Sequence, residues 1–270
     1  MKIKNISAFT ALIISAACLV SACGQRTAGV IIAGSTSVQP YAEVLAEEYA
    51  LARPGSEIDI QGGGSSAGIT AARSGTADIG MSSRDLNEKE QDLWSVEIAK
   101  DGLAIIVNPK NPIEGLSLEQ IRDVYTAKIS DWSELGGPKA KIHIIAREEG
   151  SGTRDAFESR VMGEEFINPR AIVQDSNGAV KQLVASDKYS IGFISSGLAD
   201  ETVKALLLDG AAPTAENVAN GSYSLHRPFL FVLAGEPEGL AKDFIDFALS
   251  PEGQRILIHE GLIPAAEGLD

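Results

Sequence analysis

The 270-residue sequence predicts an α/β protein of two lobes, each a mixed, mainly parallel sheet with helices on both faces. Two observations support this fold class. Short apolar strands alternate with amphipathic helices along the chain, as in βαβ units. Hydrophobic residues make up 44% and charged residues 22% of the chain, which is the balance of a packed globular protein.

The N-terminal residues have the organisation of a secretory signal. Lys2 and Lys4 precede an apolar run over residues 6–20, which has the length of the apolar region of a signal peptide. The run ends in Val20-Ser21-Ala22-Cys23, which resembles the cleavage box of bacterial lipoproteins. An uncleaved membrane helix is the alternative, but the run is shorter than the ~20 apolar residues that a span needs.

We therefore expect residues 1–22 to be removed and Cys23 to carry a lipid anchor on the outer face of the cell membrane, followed by a tether over residues 23–28. Cys18 lies inside the removed segment, so the mature chain has no cysteine pair for a disulfide. The net charge of −14 repels polyanions, so nucleic acid is not an expected partner.

From Gly29 onward, strands and helices alternate. The first five elements are a strand over residues 29–34, a helix stopped by Pro54-Gly55, a strand over 57–61, a helix ending near Ser74-Gly75 and a strand over 77–83. An apolar strand over 103–112 then runs into two Asn-Pro pairs, which end strand pairing and stiffen a crossover.

The remaining elements continue the alternation. They are a helix opened by the capping box Ser117–Gln120, a strand over 141–147, a loop and helix over 150–162, a helix over 176–186, strands over 191–195, 203–210 and 227–235, and two C-terminal helices. Ser250-Pro251 begins the last helix. We expect the chain to cross between lobes near residue 107 and to return near residue 228. One lobe then comprises residues 29–106 plus 229–270, and the other residues 107–228.

Three loops rich in Gly, Ser and Thr each lie between a strand and a helix: Gly34–Ser37, Gly62–Ser66 and Gly150–Thr153. Each places unpaired backbone N–H groups and hydroxyls at a helix N-terminus, which favours an oxyanion site. Ordinary N-capping by Ser and Thr is the alternative for any single loop. Ligands of doubly wound sheets bind outside the carboxyl ends of the strands, where all three loops lie.

Arg147, four residues before Ser151, is the charged candidate, because a guanidinium fork matches two oxygens of a tetrahedral anion. A salt bridge with Glu148 or Glu149 is the alternative. Arg84 and Arg154 are weaker candidates that pair as readily with nearby acids.

The sequence offers no motif of a nucleotide or metal site. No P-loop or GxGxxG motif occurs, Ser151 does not lie in a GxSxG motif, and the three histidines are widely separated. We therefore expect no catalytic residue, no cofactor and no metal.

Several motifs together resemble one family, the substrate-binding lipoproteins of bacterial phosphate ABC transporters. They are GSTSVQP, QGGGSSAGI, GTADIGMSSR, DGLAIIVNPKNP, REEGSGTRDAFE, SNG at Ser176–Gly178, IGFIS, RPFLF and FIDFALSPEGQ. The resemblance implies a two-lobed periplasmic-binding-protein fold of type II that holds inorganic phosphate in its cleft as a monomer. It also implies delivery of phosphate to a transmembrane permease driven by a cytoplasmic ATPase.

Carried over by motif, the resemblance implies a set of phosphate ligands: Thr36, Ser37, Ser65, Ser83, Arg147, Ser151, Gly152 and Thr153. In the best-known branch, the position of Ser83 is an aspartate that accepts a proton from phosphate and excludes sulfate. A serine hydroxyl does not repel an unprotonated oxyanion in that way. Rejection of sulfate would then need another acceptor, either Glu148, Glu149 or Asp78, although Asp78 is better interpreted as a structural acid.

Three alternatives stay open from the sequence. The ligand could be another tetrahedral oxyanion, such as sulfate, tungstate or a phosphonate. The protein could be a phosphate sensor without transport. In a different class, an anchored phosphatase would need a nucleophile beside a base or a metal, and the sequence shows no such cluster.

Overall fold

The computed structural model describes residues 29–265. The predicted signal peptide, Cys23 and the tether therefore lie outside the described residues. Within the described part of the chain, no helix combines the length and the apolar character needed to cross a membrane.

The N-terminal part of the described chain forms alternating strands and helices, as predicted. They are β1 (Val30–Gly34), α1 (Gln39–Ala52), β2 (Ile58–Gly62), α2 (Ser65–Ser74) and β3 (Ile79–Ser82). A 3₁₀ turn at Glu88–Glu90 leads into the long strand β4 (Trp94–Val107). Gly75 ends α2 in the left-handed conformation, with φ 71°, as a C-terminal glycine does.

The middle of the chain comprises β5 (Gly115–Leu116), α3 (Leu118–Tyr125), β6 (His143–Arg147), α4 (Gly152–Phe157), β7 (Ile172–Gln174), α5 (Asn177–Ser186), β8 (Ser190–Ser195), β9 (Lys204–Ala205), β10 (Leu207–Leu208) and α6 (Ala215–Ala219). A 3₁₀ turn at Trp132–Leu135 precedes β6, and a π-helical turn at Glu158–Met162 continues α4. The capping box at Ser117 and Gln120 is present, as predicted.

The C-terminal part comprises β11 (His226–Leu233), α7 (Gly239–Leu249), α8 (Pro251–His259) and β12 (Ile263–Pro264). The main sheet runs in the order β2-β1-β3-β11-β4-β8-β6-β7, with β9 and β12 also paired to β4. Pairing is parallel among β2, β1 and β3 and among β8, β6 and β7, whereas β4 and β11 pair antiparallel with their neighbours. This mixed sheet with its packed helices confirms the predicted α/β class.

Two large apolar cores lie on either side of the antiparallel strand pair β4–β11. The first lobe packs β1–β3 against α1, α7 and α8, through side chains such as Tyr49, Phe231 and Phe244. The second lobe, which spans β5–β10 and α3–α6, packs around Tyr125 and Trp132 and around the stacked rings of Phe157 and Phe193.

Strand β4 contributes side chains to both cores. Ile98 and Ala99 pack in the first lobe, whereas Leu103 and Val107 pack in the second. Strand β4 therefore passes from the core of the first lobe to the core of the second between Ala99 and Leu103. The expected lobe boundaries at residues 107 and 228 stay a prediction.

Candidate functional site

The three Gly/Ser/Thr loops meet at the carboxyl ends of β1, β2 and β6. The Gly34 carbonyl accepts hydrogen bonds from the N–H groups of Gly63, at 2.8 Å, and Gly64, at 3.0 Å, which joins the first two loops. The Ser66 N–H donates to the Gly150 carbonyl at 3.1 Å, which joins the second loop to the third across the two lobes. The loops therefore form one site between the lobes, in agreement with the general position of ligands in such sheets.

Three buried hydroxyls of the first lobe face this site. Ser37, Ser65 and Ser83 are each at most 1% exposed. The Ser65 hydroxyl oxygen accepts from the Ser83 N–H at 3.0 Å and lies 3.3 Å from the Ser83 hydroxyl. The Ser35 hydroxyl, which accepts from the Ser37 N–H, donates to the Ser83 oxygen at 2.9 Å. These bonds fix the hydroxyls in one polar network.

The second lobe brings the segment Ser151–Thr153 against these hydroxyls. The Thr153 and Ser37 hydroxyls lie 2.8 Å apart. A Cβ atom on Gly152 would lie 2.3 Å from the Ser65 oxygen and 2.7 Å from the Ser83 oxygen, so only glycine fits at this position. The Ser151 oxygen accepts from the Arg154 N–H at 3.3 Å and caps α4, which leaves its own proton for another partner. Capping and ligand binding are therefore compatible at Ser151.

Arg147 is 1% exposed and lies at the end of β6. Its Nε and Nη2 atoms donate to the two carboxylate oxygens of Glu148, at 2.8 and 2.9 Å, so the ion pair considered as the alternative does form. Nη2 also donates to the Asp175 carbonyl at 3.2 Å. Among the described residues, the one hydrogen-bond contact of Nη1 is a long one, 3.5 Å, with the Thr153 hydroxyl. The guanidinium is thus held from one side and presents Nη1 to the site.

Thr36, the remaining predicted ligand, is half-buried beside Asn177 of the second lobe. The Asn177 amide donates to the Thr36 hydroxyl at 3.3 Å and to the Ser37 hydroxyl at 2.8 Å. Its carbonyl oxygen accepts from the Ser195 N–H at 3.2 Å, which fixes the orientation of the amide. Sequence reasoning did not single out Asn177, although it lies in the SNG motif that opens α5.

Sequence reasoning also missed a buried ion pair, Asp101 and Arg227, which occupy facing positions on β4 and β11. Burial raises the pKa of the Asp101 carboxyl, and Arg227 opposes that rise. Burial lowers the pKa of Arg227, but a guanidinium stays ionised. The available signal was a charged residue at the start of the apolar strand RPFLF, because such a residue is rarely buried without a partner.

The three acids considered as proton acceptors differ in position. Asp78 accepts from the Ile31 N–H at 2.8 Å, at the opposite end of β1 from the site. Glu149 is exposed, whereas Glu148 borders the site beside Arg147 and Gly64. Asp78 therefore has the structural role expected of it, and Glu148 is the one of these three acids that adjoins the second and third loops.

The two weaker arginine candidates pair with acids. Arg84 lies 2.8 Å from Glu90 and, across the lobes, 2.8 Å from Asp155. Arg154 pairs with Glu158 within the second lobe.

A two-lobed α/β fold with a polar site between its lobes is typical of solute-binding proteins. In agreement, the family model described as the PBP superfamily domain matches residues 21–252. A Bacillus subtilis protein named phosphate-binding protein PstS is 35% identical over 243 residues, which cover 87% of this chain and 80% of the relative. The chain belongs to this family of PstS phosphate-binding proteins.

Two solved structures are similar over nearly their whole length. A Clostridium perfringens phosphate ABC transporter substrate-binding protein with bound phosphate is 46% identical, with a TM-score of 0.85, over 87% of this chain and 99% of that one. An ABC-type phosphate transport receptor from Vibrio cholerae is 40% identical, with a TM-score of 0.72 and the same coverages.

Proposed function

We propose that the protein is an extracytoplasmic binding protein that captures inorganic phosphate between its lobes. One observation carries the proposal: buried polar side chains of both lobes converge on one site. They are Ser37, Ser65 and Ser83 of the first lobe and Arg147, Ser151 and Thr153 of the second. Thr36 and the N–H of Gly152 complete the proposed ligand set.

This donor set suits a small, highly charged oxyanion. A hydrogen bond to a charged group contributes roughly 1.5–3 kcal/mol net of the water contacts it replaces, so several such bonds together favour binding. Glu148 binds Nε and Nη2 of Arg147, so Nη1 is the charged donor that this arginine offers, and its hydrogen bond to an anion is strong because water is excluded. A ligand in this position contacts both lobes and therefore favours their closure.

The cellular role follows from the same family. We propose that lipid-modified Cys23 tethers the protein, as a monomer, to the outer face of the membrane, where it delivers phosphate to an ABC permease with its ATPase. The similarity to the Clostridium perfringens substrate-binding protein and the Vibrio cholerae phosphate transport receptor supports this role.

Binding without catalysis is also part of the proposal. The hydroxyls of the site bond to serine, threonine, asparagine and arginine side chains. None of these partners is the general base that a nucleophilic hydroxyl of a phosphatase requires.

Calorimetric titration of the purified protein with phosphate tests the site. We expect Arg147→Ala to weaken phosphate binding at least tenfold, because it removes the charged donor. Arg73→Ala, which breaks an exposed ion pair with Asp92, is the control and should bind normally. Unchanged affinity for phosphate in a folded Arg147→Ala protein would refute the proposed binding site. A wild-type protein that does not bind phosphate would refute the proposed function.

Another tetrahedral oxyanion is the second candidate ligand, and the Ser83 hydroxyl favours it. No carboxylate at this position repels an ion without a proton. Sulfate titrated into the same samples decides between the two, because sulfate binding as tight as that of phosphate would favour a general oxyanion carrier.

A further inference from the structure

Arg227 is a second guanidinium in the same site, and it is only 1% exposed. It faces Asp101 across the antiparallel pair of β11 and β4, where directly opposite side chains lie on the same side of the sheet. Its Nε and Nη2 atoms donate to one carboxylate oxygen of Asp101, at 3.1 and 3.0 Å. The other carboxylate oxygen accepts from the Ser195 hydroxyl at 2.8 Å.

Stability alone does not account for this buried pair. Dehydrating two charges is costly, and well-packed apolar residues often replace such a pair with no loss of stability. The neighbouring residues Phe229 and Phe231 of β11 are fully buried and apolar, so the strand already packs well without charge. A role in the adjoining site is the better explanation for Arg227.

The remaining donors of Arg227 point at two of the proposed phosphate ligands. Nη2 donates to the Ser37 hydroxyl at 3.0 Å, and Nη1 lies 3.5 Å from the Ser83 hydroxyl. A guanidinium carries two N–H groups on each Nη atom. Within residues 29–265, the long contact with Ser83 is the one hydrogen bond of Nη1, so this atom keeps donor capacity at the site.

Arg147 presents its own Nη1 in the same way. The contacts run from Arg147 to Thr153, from Thr153 to Ser37 and from Ser37 to Arg227, at 3.5, 2.8 and 3.0 Å. Burial is the main cause that lowers the pKa of Arg227, and the positive charge of Arg147 lowers it further, as expected for two guanidinium groups that repel each other. An oxyanion held between them would relieve this repulsion.

The serine at position 83 keeps Arg227 available. Its oxygen accepts from Ser35, at 2.9 Å, and from Arg227, at 3.5 Å, so its own proton is left to be donated to the Ser65 hydroxyl, at 3.3 Å, or to a ligand. A carboxylate at this position would lie within reach of Nη1 and would neutralise it, in competition with a bound anion.

We propose that Arg227 is a direct ligand of the bound phosphate, a second arginine that donates hydrogen bonds to the anion opposite Arg147. This inference rests on the proposed function. It assigns to the strand pair β4–β11, which joins the two lobes, a part in anion binding as well as in the sheet.

The test is calorimetric titration with inorganic phosphate at pH 7, on the wild-type protein and two variants. Asp101→Asn with Arg227→Gln neutralises the pair without changing the net charge of the site. Arg227→Lys keeps the charge opposite Asp101, but its single Nζ atom, once bound to Asp101, does not reproduce the fork. We expect each variant to bind phosphate at least tenfold more weakly.

Controls separate the possible outcomes. Arg73→Gln with Asp92→Asn neutralises an exposed ion pair of the first lobe and should bind as the wild type does. Thermal unfolding without phosphate identifies the variants that fold. If the double variant does not fold, Arg227→Lys alone tests the inference. A folded Arg227 variant with wild-type affinity would overturn the inference, whereas a wild-type protein that does not bind phosphate would overturn the proposed function instead.

Discussion

At the scale of single residues, the site depends on close packing between the lobes. Gly152 of the second lobe lies directly against the Ser65 and Ser83 hydroxyls of the first, and both of those side chains are fixed by hydrogen bonds. The absence of a side chain at residue 152 is therefore a requirement of closure.

We predict that Gly152→Ala weakens phosphate binding at least tenfold, because the added methyl group forces the two serines and the loop apart. Isothermal titration calorimetry measures the effect. Gly178→Ala is the matched control, since Gly178 is exposed and a Cβ there meets no atom within 4 Å. If the two variants bind phosphate equally well, the steric argument is wrong.

The sequence predicted polar residues at the carboxyl ends of strands and in the loops that follow, but not Asp101 and Arg227 within β4 and β11. Ser37, Ser65 and Ser151 were recognisable because three loops rich in Gly, Ser and Thr each lie between a strand and a helix, although N-capping is the alternative for any one of them. Asp101 and Arg227 are 126 positions apart and pair only through the register of β4 and β11. Side-chain pairing across a sheet depends on strand order, which local sequence patterns do not contain.

At the scale of elements, the 3₁₀ turn Glu88–Glu90 holds Arg84 at the edge of the site. Asn87 and Glu90 form a capping box around this turn, and the Glu90 carboxylate accepts two hydrogen bonds from the Arg84 guanidinium, at 2.8 and 3.0 Å. The hydrogen bond from Arg84 is the main cause that lowers the pKa of Glu90.

We predict that Glu90→Gln destabilises the protein by about 1 kcal/mol at pH 7, and that the difference disappears in acid. A lowered pKa means that the folded state stabilises the carboxylate, so this contribution is lost as the pH falls through that lowered value. Urea unfolding at pH 7 and near pH 3 measures it. Glu88→Gln, in the same turn but exposed, is the control. An equal loss of stability at both pH values would contradict the assignment.

The start of β4 was predicted wrongly. The apolar run from Leu103 predicted a strand there, whereas β4 begins at Trp94. Residues 94–102 include Glu97, Lys100 and Asp101, so they lack the apolar pattern of a buried strand. Both β11 and β12 nevertheless pair with this part of β4. Tertiary pairing therefore extends the strand beyond its apolar signal.

At the scale of the whole molecule, few polar contacts near the rim of the site join the lobes. Arg84 lies on the first lobe, and its Nε atom is 2.8 Å from the carboxylate of Asp155 on α4 of the second. The nearby bond from Ser66 to Gly150 joins the same two surfaces. These contacts stabilise the arrangement in which the site is enclosed.

We predict that Asp155→Asn weakens phosphate binding about two- to fivefold, mainly through faster dissociation, because a partly exposed ion pair contributes roughly 0.2–1 kcal/mol. Stopped-flow kinetics and calorimetry measure the two quantities. Glu158→Gln is the control, because it removes a neighbouring charge whose partner, Arg154, is on the same lobe. Equal effects of the two variants would show that charge, and not the contact between lobes, is responsible.

The order of strands also bears on how the chain folds. Strand β11 lies between β3 and β4 in the sheet, although more than a hundred residues separate it from either in sequence. The first lobe therefore has a gap in its sheet until the chain beyond residue 226 has been made. The second lobe is one continuous segment whose contacts are more local. During synthesis the second lobe is thus the first to have all its strands, and it would form before the lobe that precedes it in the sequence.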